Sequence, residues 1–193
     1  EFAIPPEWPR FRGIDHGIYH PTCCLWAAMS PGGDLVFYDS YYQRNKLISD
    51  NCGEILKRSG NDTYEWTVID PNVDRRDATT GTSYLDEYTR CGVPCIKGQN
   101  AILDGISRVK ELMRIDPDHP HLLTGRMGAP RYYVFLSRCP ELVWETQQYK
   151  WRDQKPGRET RDKEEPVDRH NHAIDASRYI VAQNPHSRQP LSE

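Results

Sequence analysis

Three short apolar segments separated by turn-forming residues open the chain. They cover residues 10–15, 22–29 and 35–42, and residues 31–34, Pro-Gly-Gly-Asp, are typical of a tight turn between strands. The pattern predicts three strands that pair in sequence as an antiparallel meander.

The spacing of apolar residues then changes to three or four. Residues 47–58 have the periodicity of an amphipathic helix, which Gly60 ends. Residues 65–70 form a β-branched and aromatic run that predicts a fourth strand. Because Pro71 cannot continue the strand ladder, Asp70 is expected at the carboxyl end of this strand.

The second half of the chain alternates between strand-like and helix-like patterns, which predicts an α/β fold with a mixed sheet led by the three antiparallel strands. Residues 116–130 are rich in Pro, Gly and His, and the pattern predicts no helix or strand there. The predicted helices are 83–90, 102–115, 139–149 and 170–183; the predicted strands are 94–97 and 131–136; the predicted irregular segments are a polar loop at 72–81, a charged loop at 150–168 and a frayed tail at 185–193.

The composition is that of one folded domain spanning residues 1–193. The net charge of -3 argues against a general nucleic-acid coat, although an enzyme that gathers carboxylates around a metal can be acidic overall. No apolar run is long enough for a membrane helix. The six cysteines lack paired metal-ligand spacing, so we expect reduced thiols in an intracellular protein. Since the first residue is Glu1 and not Met, we expect a domain excised from a longer polypeptide.

Four side chains are candidates for metal chemistry. Asp15 and Asp70 each follow an apolar strand, and His172 and Asp175 are spaced to share one face of the last helix. Three carboxylates within about 4 Å of one another would repel by roughly 4 kcal/mol per pair, which a divalent cation would offset. Oxygen ligands favour Mg²⁺ or Mn²⁺. Taken singly, each Asp is more often a turn former or helix cap, and His172 an ordinary histidine.

The late segment 172–179, His-Ala-Ile-Asp-Ala-Ser-Arg-Tyr, following a βββαβ order, resembles the ribonuclease H-like nuclease domain of the large terminase subunit of tailed bacteriophages. That family often has Asp-His-x-x-Asp-Ala-x-Arg-Tyr, and Asn171 here replaces the first Asp. The resemblance implies a ribonuclease H-like fold with helices on both faces of the sheet. It also implies a hydrolase, an endonuclease that uses two Mg²⁺ or Mn²⁺ ions to cleave double-stranded DNA during viral genome packaging in the cytoplasm of the infected bacterium.

Residue roles follow from the same resemblance. Asp15, Asp70 and Asp175 would bind metal, His172 would be an auxiliary ligand or proton carrier, and Asp168 is the candidate for the carboxylate absent at position 171. Candidate DNA-phosphate contacts, for which a solvated loop is the alternative, are Arg75, Arg76, Lys150, Arg152, Lys155 and Arg158.

The family's ATPase half carries a phosphate-binding loop, and no GxxxxGK[S/T] motif occurs here. The expected partners are DNA, an ATPase domain of the same polypeptide, the portal and the small terminase subunit, with no membrane. Two alternatives stay open. One is another ribonuclease H-like nuclease, such as a resolvase or transposase-like enzyme, and the other is a non-catalytic docking module of the packaging motor.

Overall fold

The computed structural model of the chain describes residues 1–74, 81–99, 101–151, 166–167 and 169–183. Helices and strands alternate along most of this length, as the α/β pattern predicts. In chain order the elements are β1 Arg10–Asp15, β2 Thr22–Met29, β3 Leu35–Gln43, α1 Ile48–Ser59, β4 Trp66–Ile69, a 3-10 helix at Pro71–Asp74, α2 Tyr84–Arg90, β5 Ile96–Lys97, α3 Ile102–Met113, β6 Asp116–Pro120, β7 Met127–Ala129, β8 Tyr132–Val134, α4 Pro140–Gln148 and α5 His172–Ala182.

Six strands form a mixed central sheet in the order β5-β4-β1-β2-β3-β8. The predicted meander is confirmed, because β1 pairs antiparallel with β2 and β2 pairs antiparallel with β3. Parallel pairs extend the sheet on both sides, β1 with β4, β4 with β5 and β3 with β8. The carboxyl ends of β1, β4 and β5 therefore meet at one edge of the sheet.

Helices cover both faces of this sheet, as the resemblance implied. Along β2, Leu25 and Ala27 face a core completed by α3, α4 and α5. Cys24 and Trp26, which alternate with them, face the second core, to which α1 and α2 contribute. A strand buried on both faces reads as a nearly continuous apolar run, which explains the sequence of β2.

A two-stranded antiparallel ribbon, β6 with β7, lies where no element was predicted. That prediction is wrong for residues 116–130, and the physical reason is the polar, Pro-rich sequence Asp-Pro-Asp-His-Pro of β6, which lacks strand alternation. A tertiary contact holds the ribbon instead. The buried His119 ring is bonded through Nε2 to Oδ1 of buried Asp34 at 2.6 Å, beside the β2–β3 turn.

The predicted loop at 72–81 opens with most of the 3-10 helix that starts at Pro71. The described residues 150, 151, 166 and 167 of the predicted charged loop meet in a bridge between Trp151 and Pro166. The predictions for 152–165, Asp168 and the tail fall outside the described residues. All six cysteines are free, and four of them are buried, as expected for reduced thiols. Among the described helices, none has the length and apolar character needed to span a membrane.

Candidate metal centre

Two of the candidate carboxylates end adjacent parallel strands. Ile14 of β1 and Ile69 of β4 are register partners, and Asp15 and Asp70 are the next residues in each strand direction. The Asp70 amide donates to the Ile14 carbonyl at 3.0 Å. The carboxyl ends of neighbouring parallel strands are where α/β proteins commonly place binding groups, so the expectation that these two strands are neighbours is confirmed.

Helix α5 carries the other two candidates and packs closely on β1. Gly13 permits this approach, because a Cβ atom at that position would collide with the backbone carbonyl of Ala176 and would lie 2.7 Å from Cγ1 of Ile180. The missing side chain thus lets the helix axis come near the strand that ends in Asp15. The close crossing brings the first turn of α5 to the edge that carries the two strand-end carboxylates.

One direct contact joins the sheet to the helix. The Nδ1 of His172 is 2.8 Å from Oδ2 of Asp15, and the pair is largely shielded from solvent. Asp175 faces a different partner, since the guanidinium of buried Arg178 donates to its Oδ1 from Nε and Nη2 at 3.1 and 3.0 Å. Asn171 donates from Nδ2 to Oδ2 of Asp175 at 3.0 Å. His172 and Asp175 are therefore oriented by separate groups.

Asp70 is held within its own turn. Its Oδ1 accepts hydrogen bonds from the backbone N–H of Asn72 at 2.8 Å and from the Asn72 side chain at 3.0 Å. This is the turn-forming role that a strand-end aspartate often has. It does not occupy every lone pair of the carboxylate, because Oδ2 takes no part in these two bonds.

The three carboxylates are close enough to influence one another electrostatically. Burial raises the pKa of Asp15 from 3.8 to about 7; the hydrogen bond from His172 opposes this rise, and the charges of Asp175 and Asp70 add to it. Burial alone would lower the pKa of His172, but the hydrogen bond to Asp15 and nearby carboxylate charges outweigh it and raise the pKa. Burial raises the pKa of the Tyr179 hydroxyl as well, and the charges of all three carboxylates contribute. Tyr179 thus senses the whole set.

The side chains are not in a ligating arrangement. Among the described residues, no three His, Cys, Asp or Glu side chains form a group that would hold a metal ion as they stand. Asp15 is engaged by His172 and Asp175 by Arg178, so binding would require these contacts to loosen. Of the other predicted site residues, Lys150 is exposed, and Asp168, Arg75, Arg76, Arg152, Lys155 and Arg158 lie outside the described part of the chain.

Sequence reasoning missed several groups around the site. Arg178 and Tyr179 stand inside the quoted motif, one helical turn after Asp175, and this spacing was the available signal. Lys97 ends β5 beside β4, so the strand pattern placed it at the same edge. Glu145 of α4 gave no local signal, because only the packing of α4 against α5 brings it to this region.

A family model described as "Terminase RNAseH like domain" matches residues 30–183, which is most of the chain. The chain belongs to this terminase ribonuclease H-like family. The matched region contains Asp70 and Asp175 and begins after β2, so Asp15 precedes it. The resemblance drawn from the late helix is thereby confirmed.

Solved structures share the fold of this terminase domain. The nuclease domain of the P22 large terminase aligns with a TM-score of 0.70 at 16% identity, covering 94% of this chain and 84% of that one. The nuclease of the large terminase from thermophilic phage G20c, with bound cobalt, gives 0.57 at 13% identity, covering 93% and 83%. The large terminase of another thermophilic bacteriophage, in complex with ATP-gamma-S, gives 0.65 at 19% identity over 92% of this chain.

The terminase domain spans 41% of the length of that ATP-gamma-S-bound protein. A comparison with curated proteins finds no match. The family and the ribonuclease H-like fold are thus established by the family model and the aligned structures together, in agreement with the mixed sheet and its leading antiparallel strands.

Proposed function

We propose that this domain is a divalent-metal-dependent endonuclease that cleaves double-stranded DNA during phage genome packaging. The observation that carries the proposal is the meeting of Asp15, Asp70 and the first turn of α5 at one sheet edge. Membership of the terminase family supports the packaging role. The alignment with the P22 and G20c nuclease domains supports the reaction class.

The side chains suit a hard divalent cation. Their donors are carboxylate oxygens with one imidazole, which Mg²⁺ and Mn²⁺ accept. Burial together with neighbouring negative charge raises the pKa of Asp15 to about 7, so the folded chain lacks a counter-charge at this point. Cobalt bound to the G20c relative supports a divalent ion. We propose Asp15, Asp70 and Asp175 as the ligands of two Mg²⁺ or Mn²⁺ ions.

Bound ions would supply positive charge to activate water and to stabilise the leaving oxygen of the phosphodiester. The protein's own groups have distinct tasks. His172, whose pKa is raised, is suited to hold a proton next to Asp15 and to release it when that carboxylate is engaged elsewhere. Arg178 orients Asp175 through two N–H groups on one oxygen, and Asn72 orients Asp70 within its turn.

Basic residues at the same edge are suited to phosphate contacts that position DNA without reading its sequence. Lys97 ends β5 next to the Asp70 strand, and Lys150 is exposed after α4. We retain Arg75, Arg76, Arg152, Lys155, Arg158 and the metal role of Asp168 as proposals from the resemblance. An ATPase domain in the same polypeptide, the portal, the small terminase subunit and a host cytoplasmic location belong to the same proposal.

Mn²⁺ titration and plasmid cleavage with aspartate variants test this function. Asp15→Asn and Asp70→Asn should each weaken Mn²⁺ binding in calorimetry and reduce cleavage at least about 100-fold, since each removes a charged ligand. Asp118→Asn is the matched control, because this exposed acid lies in β6, beside the opposite end of the sheet. Unchanged metal binding and cutting in both site variants would refute the nuclease proposal and favour a docking module. Cleavage restricted to branched DNA would favour a resolvase-like enzyme.

A further inference from the structure

We infer that Glu145 is a positioning residue for the proposed metal centre: from α4 it anchors the start of α5, the helix that carries His172 and Asp175. The inference rests on the proposed function, because it gives that centre a supporting residue outside the candidate ligands. It concerns the geometry of the helix start and assigns Glu145 no contact with metal or DNA.

The Glu145 carboxylate is fully buried and hydrogen-bonded at both oxygens. Its Oε2 accepts the backbone N–H groups of Ala173 and Ile174, at 2.6 and 3.2 Å. Its Oε1 accepts the hydroxyl of Tyr42, on β3, at 2.9 Å. A buried carboxylate is costly unless such donors compensate for lost hydration. Glu145 therefore connects three elements, α4, α5 and the central sheet.

Helix α5 has no side-chain cap of its own. The first N–H groups of a helix lack partners within the helix, and a residue just before it usually supplies an oxygen. At this position Asn171 makes no capping bond, and its side-chain amide donates to Asp175 instead. Glu145 supplies the missing acceptor, and its negative charge stands at the positive end of the helix dipole.

The capped amides lie between the two candidate site residues of the helix. Ala173 directly follows His172, and Ile174 directly precedes Asp175. A change in the direction of these N–H groups turns the same peptide units from which both side chains project. The Tyr42 hydroxyl limits that change by holding the other Glu145 oxygen against the sheet. Loss of the cap should therefore disturb metal binding more than it disturbs the rest of the fold.

The test compares Mn²⁺ dissociation constants and cleavage kinetics for Glu145→Gln, Glu145→Ala and Tyr42→Phe, each measured well below its melting temperature. Removing groups that orient metal ligands typically costs roughly 10- to 100-fold in affinity or activity. We expect about that loss in Mn²⁺ affinity and kcat for Glu145→Ala and a smaller loss for Glu145→Gln, which keeps one acceptor oxygen. The loss for Tyr42→Phe should be smaller again. The KM for DNA should stay within about twofold, because the side chain is buried.

Hydrogen exchange of the metal-free protein provides a readout independent of activity. The amides of Ala173 and Ile174 should exchange faster in the Glu145 variants, while amides in the middle of α5 keep their protection. Glu141→Gln is the matched control. This residue lies one turn earlier on α4 and contacts Ser40 of β3 instead of α5. It should behave as the wild type in both measurements.

Each outcome decides between the possible roles. Folded Glu145→Gln and Tyr42→Phe variants with lower melting temperatures but wild-type Mn²⁺ affinity would overturn the inference and leave Glu145 a purely structural residue. An equal loss in Glu141→Gln would also overturn it, since the effect would then be general to α4. If Asp15→Asn retains wild-type Mn²⁺ binding and cleavage, the proposed function itself has failed, and the inference fails with it. If Glu145→Ala does not fold, the Gln and Phe variants decide the question.

Discussion

Replacing Asp15 with Asn should stabilise the metal-free domain at neutral and alkaline pH. Burial and neighbouring negative charge raise the Asp15 pKa from 3.8 to about 7, which corresponds to about 4 kcal/mol of unfavourable free energy when the group is ionised. Asn removes that charge, and its amide oxygen can still accept the His172 N–H. Water and protein dipoles relax around a partly accessible charge, so we expect about 2 kcal/mol of this to be recovered.

The effect has a definite dependence on pH. A carboxyl whose folded-state pKa is raised binds more protons in the folded state than in the unfolded state between about pH 4 and 7, so the unfolding free energy falls as pH rises through this window. The pKa of His172 is also raised, so its contribution is present below its ordinary value of 6.5 and is lost as pH rises through the folded-state pKa. Both groups therefore favour the wild type at low pH.

Thermal denaturation in EDTA at about pH 4 to 8 measures this difference. The Asp15→Asn variant should melt at nearly the wild-type temperature at about pH 4 and about 4 to 8 °C higher at about pH 8. Asp118→Asn, an exposed control in β6, should match the wild type throughout. A variant that melts below the wild type at the alkaline end, or a difference independent of pH, would refute the electrostatic reasoning about this sheet edge.

Further predictions concern metal, packing, the ribbon and DNA. Mn²⁺ at about 100 times its dissociation constant should add about 2.7 kcal/mol to wild-type stability and much less to Asp15→Asn, as measured by thermal shift; equal shifts would contradict a site at Asp15. Gly13→Ala should cost about 2 kcal/mol in urea unfolding and weaken Mn²⁺ binding, because its Cβ would displace α5; unchanged stability would contradict this. His119→Ala should cost about 3 kcal/mol by leaving buried Asp34 without this partner, with Mn²⁺ affinity unchanged in calorimetry; reduced affinity would show that the two ends of the sheet are coupled. Lys150→Ala should reduce the salt slope of DNA binding by about 0.9, as measured by fluorescence anisotropy; an unchanged slope would exclude a phosphate contact there.

Much of the framework follows from local patterns in the sequence. Alternation, turn residues and Pro71 predicted β1 to β4 closely, because buried strands and their ends leave signals within a few residues. The same signals located Asp15 and Asp70 at strand ends and His172 and Asp175 on one helix. Their shared edge could be anticipated, since parallel neighbouring strands end together. Their roles as metal ligands stay predictions.

Local patterns could not predict features that depend on contacts distant in sequence. The β6–β7 ribbon has a polar, Pro-rich sequence and is held by the bond between His119 and Asp34, 85 residues apart. The cap that Glu145 provides to α5 crosses 28 residues to Ala173, so no capping motif precedes the helix. The sequence by itself determined the strands, the helices and the acids that they carry. Tertiary packing decided which donor each acid meets, because hydrogen-bond partners depend on distances in space and not on spacing along the chain.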